Sequence, residues 1–389
     1  MTKHGSRATK LSTDILTKRR DPTVPNELTV LFVAAVGGLG GPVKRLATLL
    51  ANTHGIHRVL IKPRSDLLDR RIYEFGLAEE YIPMRRSAQR SYLGAFLLAA
   101  RVLARASRRD RPIDVIHANG IVEFALCWPA ALLLGKPIVS WVGNYEAPAL
   151  VKRFNRLLRT VSSQTLWNAV SATAAAVVVD CGLADQRGVR VVTNIIDPAD
   201  VAPTRDIRVP SESRRINIGY LQVAQWVKGF DLLPKVIDEL SDVHDRVRFL
   251  VYTKRDGRPG WKELSAFSSN LVEVRPRTAR VGDIYAECDI IFSPSRRESF
   301  NRVVAEALMT GTPVVASDLD AVRDVVGDAG LLFPVDNVSA AADCLRRLIN
   351  DADLFSALSV AGKSRAQAWL PGPVVEDFMA QYLSLARDR

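Results

Sequence analysis

Two carboxylates eight residues apart, Glu298 and Glu306, frame the segment of this chain best suited to hold a polar ligand. They bound the run Glu298-Ser-Phe-Asn-Arg-Val-Val-Ala-Glu306, which follows an apolar stretch ending Phe292-Ser-Pro-Ser295. The pattern predicts a strand over Ile290–Phe292 and a helix over Arg302–Met309, with Glu298 at or just before the helix start and Glu306 inside it. Eight helical residues make two turns plus about 80° and a rise of ~12 Å. Two carboxylates so spaced would sit at different depths along one edge of a cleft. Backbone amides at the helix start between them can hold a diphosphate. A ligand with hydroxyls on both sides of a diphosphate, such as a nucleotide sugar, suits that arrangement. From spacing alone, a solvated helix start with a glutamate near the dipole fits equally.

Other signals are weaker. Gly37-Gly-Leu-Gly-Gly41 reads as a tight turn but does not satisfy Gly-x-Gly-x-x-Gly, which argues against a dinucleotide oxidoreductase. Asp318-Leu-Asp320 has the Asp-x-Asp spacing of a metal-binding pair. The chain has no Gly-x-Ser-x-Gly or Walker-type motif. The four cysteines, Cys127, Cys181, Cys288 and Cys344, form no Cys-x-x-Cys pair, so neither a zinc site nor a disulfide framework is expected, and a reducing cytosol fits.

The elements that must position these residues alternate. The β-branched run Leu28–Val36 reads as a buried parallel strand, and Pro42 suits the first turn of a helix continuing through Val43–Ala51. Strands are expected at His57–Ile61, Asp114–His117, Pro137–Trp141 and Arg190–Thr193, and helices at Leu93–Ala106, Ile121–Leu134 and Val170–Val179. A second series runs through strand Ile216–Leu221, helix Gly229–Leu240, strand Arg246–Tyr252, strand Pro313–Ala316 and helices over Ser339–Asn350 and Leu354–Trp369. The order predicts an α/β chain of two Rossmann-like, doubly wound domains facing across a cleft, with ligands beyond the carboxyl ends of the strands. The expected division is a mobile basic tail (1–26), an N-terminal domain (27–205), a C-terminal domain (206–370), and a final helix (371–389) that could pack back on the N-terminal domain.

With 389 residues, 48% hydrophobic and 24% charged, the composition is that of a globular chain able to bury two cores. No stretch approaches ~20 uninterrupted apolar residues, so no membrane span or export signal is expected. The net charge of +11 is uneven: Met1–Arg205 carries 29 Lys+Arg against 16 Asp+Glu. Such a field attracts anionic partners, among them acidic lipid and a diphosphate-bearing acceptor, although an ordinary solvated surface reads the same way. Aromatic residues are not interleaved with these charges, so nucleic acid is not an expected partner.

Several motifs then occur in a familiar order. Glu298 to Glu306 resembles the Glu-x7-Glu signature of retaining family 4 glycosyltransferases of the GT-B fold. Ala307–Asp318 is similar to that family's "EAmA.G.PVvasd" run, and Gly330–Asn337 to its "GllvppgD" turn. Gly219–Asp231 resembles "vGrl...KGfd", Thr193–Asp197 resembles "pNGvD", Asp114–Asn119 resembles "DvvHaH", and Gly37-Gly38 matches the N-terminal glycine loop.

The resemblance implies a retaining hexosyltransferase that takes a UDP- or GDP-sugar to a glycan or lipid-linked hydroxyl acceptor without a metal or other cofactor. It implies that Glu306 binds ribose hydroxyls, Glu298 the transferred sugar and Lys228 the donor diphosphate, aided by backbone near Phe300 and Asn301. Gly37 and Gly38 would let backbone approach the diphosphate or acceptor, and His117 would line the acceptor side. The chain departs from the pattern at Val223, where the family has an arginine, and at Asn301, Asn119, Val142 and Ile195. Arg296, Arg297 and Arg302 are the neighbours that could restore the missing phosphate cation. A catalytically degenerate nucleotide-sugar or glycan-binding protein on the same fold is the competing reading.

Overall fold

Short runs of β-branched and aromatic residues, each followed by a helical stretch, build two separate parallel sheets. The computed structural model describes residues 28–35, 41–64, 72, 74, 76–84, 92–201, 209, 214–253, 260–276 and 281–387. The expected tail over residues 1–26 and the Gly37-Gly38 turn lie outside them.

The first sheet comprises β1 (Thr29–Val33), β2 (His57–Pro63), β3 (Glu80–Met84), β4 (Val115–Ala118), β5 (Ile138–Val142), β6 (Thr165–Ala169) and β7 (Val189–Val191). Their order is β3-β2-β1-β4-β5-β6-β7. The second comprises β8 (Ile216–Tyr220), β9 (Val247–Tyr252), β10 (Val272–Arg275), β11 (Ile290–Ser293), β12 (Val314–Ser317) and β13 (Leu331–Phe333), in the order β10-β9-β8-β11-β12-β13. Every recorded pairing is parallel. Chain order reverses between β1 and β4 and again between β8 and β11, which opens a crevice at the carboxyl ends of each pair.

Some elements had no sequence signal strong enough to assign them. The strand Glu80–Met84 contains Pro83, which is tolerated because β3 is an edge strand. Helix Ala149–Ser162 buries only Val151, Leu158 and Val161, so its apolar stripe is narrow and its basic residues dominate the pattern. The basic series at 101–111 is also less exposed than its composition indicates. Arg105 is 3% exposed; its guanidinium bonds both oxygens of Glu80 and the Arg111 carbonyl.

The last helix, Pro371–Arg387, returns to the first sheet. Its Phe378 and Tyr382 are fully buried, Gln381 exchanges hydrogen bonds with Asn168 (3.0 and 3.2 Å), and Asp377 pairs with Arg190. This return determines the place of His117. The imidazole sits in β4 among Phe32, Trp141 and Phe378, has no solvent exposure, and is 2.7 Å from the Tyr382 hydroxyl through Nδ1. His117 therefore does not line a ligand-accessible wall, and the expectation of an acceptor-side role is corrected. A central strand residue is covered here by the C-terminal helix.

Burial, with the nearby Arg45 charge adding to it, holds the His117 pKa down to about 3 from its usual 6.5. Below pH 6.5 the unfolded chain takes up a proton that the native imidazole refuses, so this group's stabilising contribution falls as pH drops from 6.5 towards 3. Urea unfolding at pH 7 and pH 5 should show wild type losing on the order of 2 kcal/mol more than His117→Asn over that interval. Equal losses would place a titrating, solvated imidazole at this position.

Candidate functional site

The two crevices meet in one pocket with a cavity volume of about 380 Å³. One wall comes from the first sheet's side: Gly41, Pro42 and Arg45 after β1, Gly143 and Tyr145 after β5, and Asn194 after β7. The other comes from the carboxyl ends of β8 and β11: Leu221, Gln222, Val223 and Lys228, with Glu298 through Val303. Side chains from both halves also close across it. Ser299 Oγ donates to the Gly143 carbonyl (2.7 Å), Arg302 Nη1 donates to the Ile195 carbonyl (3.0 Å), and Lys44 lies 3.6 Å from Glu306.

Lys228 ends a short 3-10 turn, Trp226–Lys228, and Gly229 then takes a left-handed φ of 66°. A Cβ at Gly229 would collide with the Pro294 carbonyl, so only glycine lets this turn lie against the loop after β11. The consequence is that Lys228 Nζ reaches Glu298 Oε1 at 2.7 Å. The same oxygen accepts from Ser295 Oγ at 2.8 Å, and Gln222 links Ser293 and Ser295 behind it. The two charged side chains are 21% and 9% exposed, so each is partly withdrawn from water and held by the other.

Residues 298–301 are not helical; the helix is Arg302–Thr310 and its N-cap is Asn301. The ~12 Å helical separation expected between the carboxylates therefore does not apply. Asn301 adopts φ 64°, a conformation that glycine takes freely and asparagine tolerates better than most residues. Its Oδ1 caps the Val304 amide (3.3 Å) and its Nδ2 donates to Ser293 Oγ (2.8 Å). One helix-start amide is thus already satisfied by the side chain. Phe300 borders the pocket while its ring packs edge-on against Trp369.

Glu306 lies behind the pocket wall rather than on it. It is 3% exposed and accepts from Tyr285 Oη (3.0 Å) and Arg302 Nε (2.6 Å). Burial alone would raise its pKa; the Arg302 and Lys44 charges, with the Arg302 and Tyr285 hydrogen bonds, overcome that and hold it below the usual carboxylate value.

The three arginines near the site differ in their commitments. Arg296 is clamped by Asp231 (2.7 and 2.9 Å) and Asp336 and lies over the Trp226 ring. Arg297 is 57% exposed and pairs with Glu146. Arg302 alone of the three borders the pocket. Asp318 and Asp320 both pair with Arg323.

Sequence reasoning assigned no role to Arg45, Gln222, Ser293 or Ser295. Arg45 sits on the Gly41–Asn52 helix and is 1% exposed; its Nη2 donates to Asn119 Oδ1 (3.1 Å) and to the Trp141 carbonyl (2.7 Å). Asn119, at the place of the pattern's second histidine, also donates from Nδ2 to the Pro42 carbonyl (3.0 Å). An arginine within an amphipathic helix ordinarily reads as a solvated face. What could have flagged it is its pairing with an asparagine at a strand end, a pattern that only the β1–β4 adjacency makes meaningful.

Two parallel sheets meeting at their switch points around a polar pocket define the GT-B architecture. The glycosyltransferase of Rickettsia africae shares it at TM-score 0.74 and 16% identity, over 94% of this chain and 100% of that one. Anabaena HepE, solved in complex with UDP-glucose, shares it at TM-score 0.73 and 17% identity, over 92% and 99%. Residues 215–351 match the family model for Glycosyl transferases group 1. The D-inositol 3-phosphate glycosyltransferase of Stackebrandtia nassauensis is 24% identical over 311 residues, 72% of this chain and 70% of that protein. The phosphatidyl-myo-inositol mannosyltransferase of Mycobacterium leprae is 30% identical over 167 residues, 41% and 44% of the two chains. The family match over the C-terminal half, the named relatives and the shared GT-B fold together support a glycosyltransferase of the group 1, family 4 type.

Proposed function

We propose that this chain transfers a hexose from a UDP- or GDP-sugar to a hydroxyl acceptor with retention of configuration, in polysaccharide or glycolipid assembly. The observation that carries the reading is the Lys228–Glu298 contact at the β8–β11 switch point, facing the pocket. A diphosphate arriving there competes with Glu298 for the Lys228 ammonium. The carboxylate, still held by Ser295, then accepts from hydroxyls of the transferred sugar. Lys228 meets the negative charge that grows on the leaving nucleotide, a role that calls for no metal ion. Attack on the donor's own leaving-group face needs no protein nucleophile. Closure of the two halves excludes water from the ion-paired intermediate stage. Glu306, behind the wall and held by Arg302, Tyr285 and Lys44, reaches a ribose only when those contacts open. The C-terminal half serves the donor and the N-terminal half the acceptor.

One observation favours a binding protein without turnover: the wall position occupied by arginine in the family pattern is Val223, which is 39% exposed. Turnover separates the two. With UDP- and GDP-hexoses and a panel of glycan and lipid acceptors, Lys228→Ala and Glu298→Ala should each lower kcat by on the order of 100-fold, the loss typical of removing a transition-state charge partner. Wild-type rates in both variants would remove these residues from the reaction. Tight donor binding with no transfer or hydrolysis would favour the non-catalytic reading.

In this reading the acceptor side works at an anionic membrane surface, on its cytoplasmic face. No helix among the described residues is long and apolar enough to cross a membrane. The support is helix Ala149–Ser162, which exposes Phe154 (40%) and Leu157 (43%) among Lys152, Arg153, Arg156 and Arg159. Leu132 and Leu133 are exposed at the end of the neighbouring helix Ile121–Leu134. Apolar side chains set among basic ones suit an acidic bilayer interface. The name of the mycobacterial relative specifies a phosphatidyl-inositol acceptor, which agrees with this placement. Flotation should show binding to vesicles containing phosphatidylserine that weakens with salt and with Phe154→Ser/Leu157→Ser. Equal binding to neutral and acidic vesicles would contradict it.

A further inference from the structure

The pocket wall lacks an arginine at position 223, yet two guanidinium groups reach the pocket from another direction. Arg302 begins the helix after β11, and Arg45 lies on the Gly41–Asn52 helix of the first half; both border the pocket. Each carries a buried N–H group without a hydrogen-bond partner: Nε of Arg45 and Nη2 of Arg302. A buried charged donor left unmade is costly, and native structures retain such groups chiefly where a ligand or ion completes them.

The two groups are neighbours. Gly41, at the start of the Arg45 helix, would place a Cβ 3.8 Å from Arg302 Cδ, and the Arg302 charge opposes that of Arg45. Arg45 Nη1 flanks Gly143 on the pocket wall, where an added Cβ would come within 3.0 Å of it. Glycine at 143 thus leaves room for the guanidinium beside the pocket wall.

The local charge is unbalanced in favour of an anion. Lys44, Arg45, Lys228 and Arg302 surround the site against Glu298, Glu306 and Glu123. Burial pushes the Glu123 pKa up, which weakens it as a counter-charge for Arg45. Arg45 itself, lowered to about 9 chiefly by burial, remains a cation at neutral pH.

We propose that Arg302 and Arg45 form a phosphate-binding site where the two walls of the pocket meet. Planar guanidinium forks match tetrahedral oxyanions, and the two orphan N–H groups supply donors that no protein acceptor uses. The proposal rests on the glycosyltransferase reading for its ligand. The phosphate is either the donor's own diphosphate, for which this pair replaces the cation lost at Val223, or a phosphate carried by the acceptor.

Calorimetry on the full chain with UDP, GDP, inorganic phosphate, and phosphate added to nucleotide-saturated protein tests this. Arg302→Gln should weaken phosphate binding by about tenfold or more, the scale of one charge-assisted hydrogen bond, with Arg302→Lys and Arg45→Lys intermediate. If the site takes the donor's phosphate, nucleotide displaces inorganic phosphate and the same variants weaken nucleotide binding. If it takes an acceptor phosphate, phosphate binds beside the nucleotide and the variants leave nucleotide affinity unchanged. The lysine variants keep the charge and guard against a folding defect in the glutamine one; circular dichroism confirms which variants are folded. Folded variants that bind phosphate and nucleotide as wild type does overturn the proposal, as does a wild type that binds no phosphate in either state. Loss of nucleotide binding in Lys228→Gln alone, with the arginine variants unaffected, would leave the glycosyltransferase reading standing and this inference refuted.

Discussion

A lysine ammonium and a glutamate carboxylate 2.7 Å apart tie the loop after β8 to the loop after β11, and the donor side of the pocket is organised around that contact. Its geometry depends on backbone. Gly229 must be left-handed and lack a Cβ for the Lys228 turn to lie on Pro294, and Asn301 must be left-handed for Glu298 to precede a helix that starts at Arg302. A partly buried ion pair of this kind contributes little net stability, because desolvation offsets the Coulomb gain. Its worth lies in poise: two charges are held within reach of a ligand that can satisfy each of them better.

The two arginines that border the pocket follow a different logic. Arg45 is fixed by Asn119 and the Trp141 carbonyl at the β1–β4 crevice, while Arg302 is fixed by Glu306 and the Ile195 carbonyl. The Lys44–Glu306 and Ser299–Gly143 contacts then bring the walls together. The pocket thus carries two arginines, Arg45 and Arg302, on its border while position 223 is a valine.

Much of the frame was legible in the sequence. The β-branched runs at β1, β8 and β12, the apolar run at 121–134 with Gly135 closing it, and the amphipathic helix at 338–350 with Asn337 as its cap carry clear signals. Glu298 was marked by the carboxylate spacing, whereas Lys228 and Asn301 were singled out only through the resemblance to the family's motifs. Edge strands such as Glu80–Met84 were not legible, since an edge tolerates proline and polar residues. Arg45 and His117 show a deeper limit. A sequence shows that a residue ends a strand or sits on a helix, but the C-terminal helix that covers His117, and the crevice that brings Arg45 to the pocket wall, are products of long-range packing. The same packing removes Arg105 from the surface charge that composition assigned to it.

The most direct measurement is a crystal structure of the protein soaked with a nucleoside diphosphate. The account predicts diphosphate oxygens within hydrogen-bond distance of Lys228 Nζ, in the pocket that Gly143 and Ser299 border, with Glu298 still held by Ser295. A diphosphate bound elsewhere on the chain, with the Lys228–Glu298 contact intact and the pocket filled only by water, would contradict it.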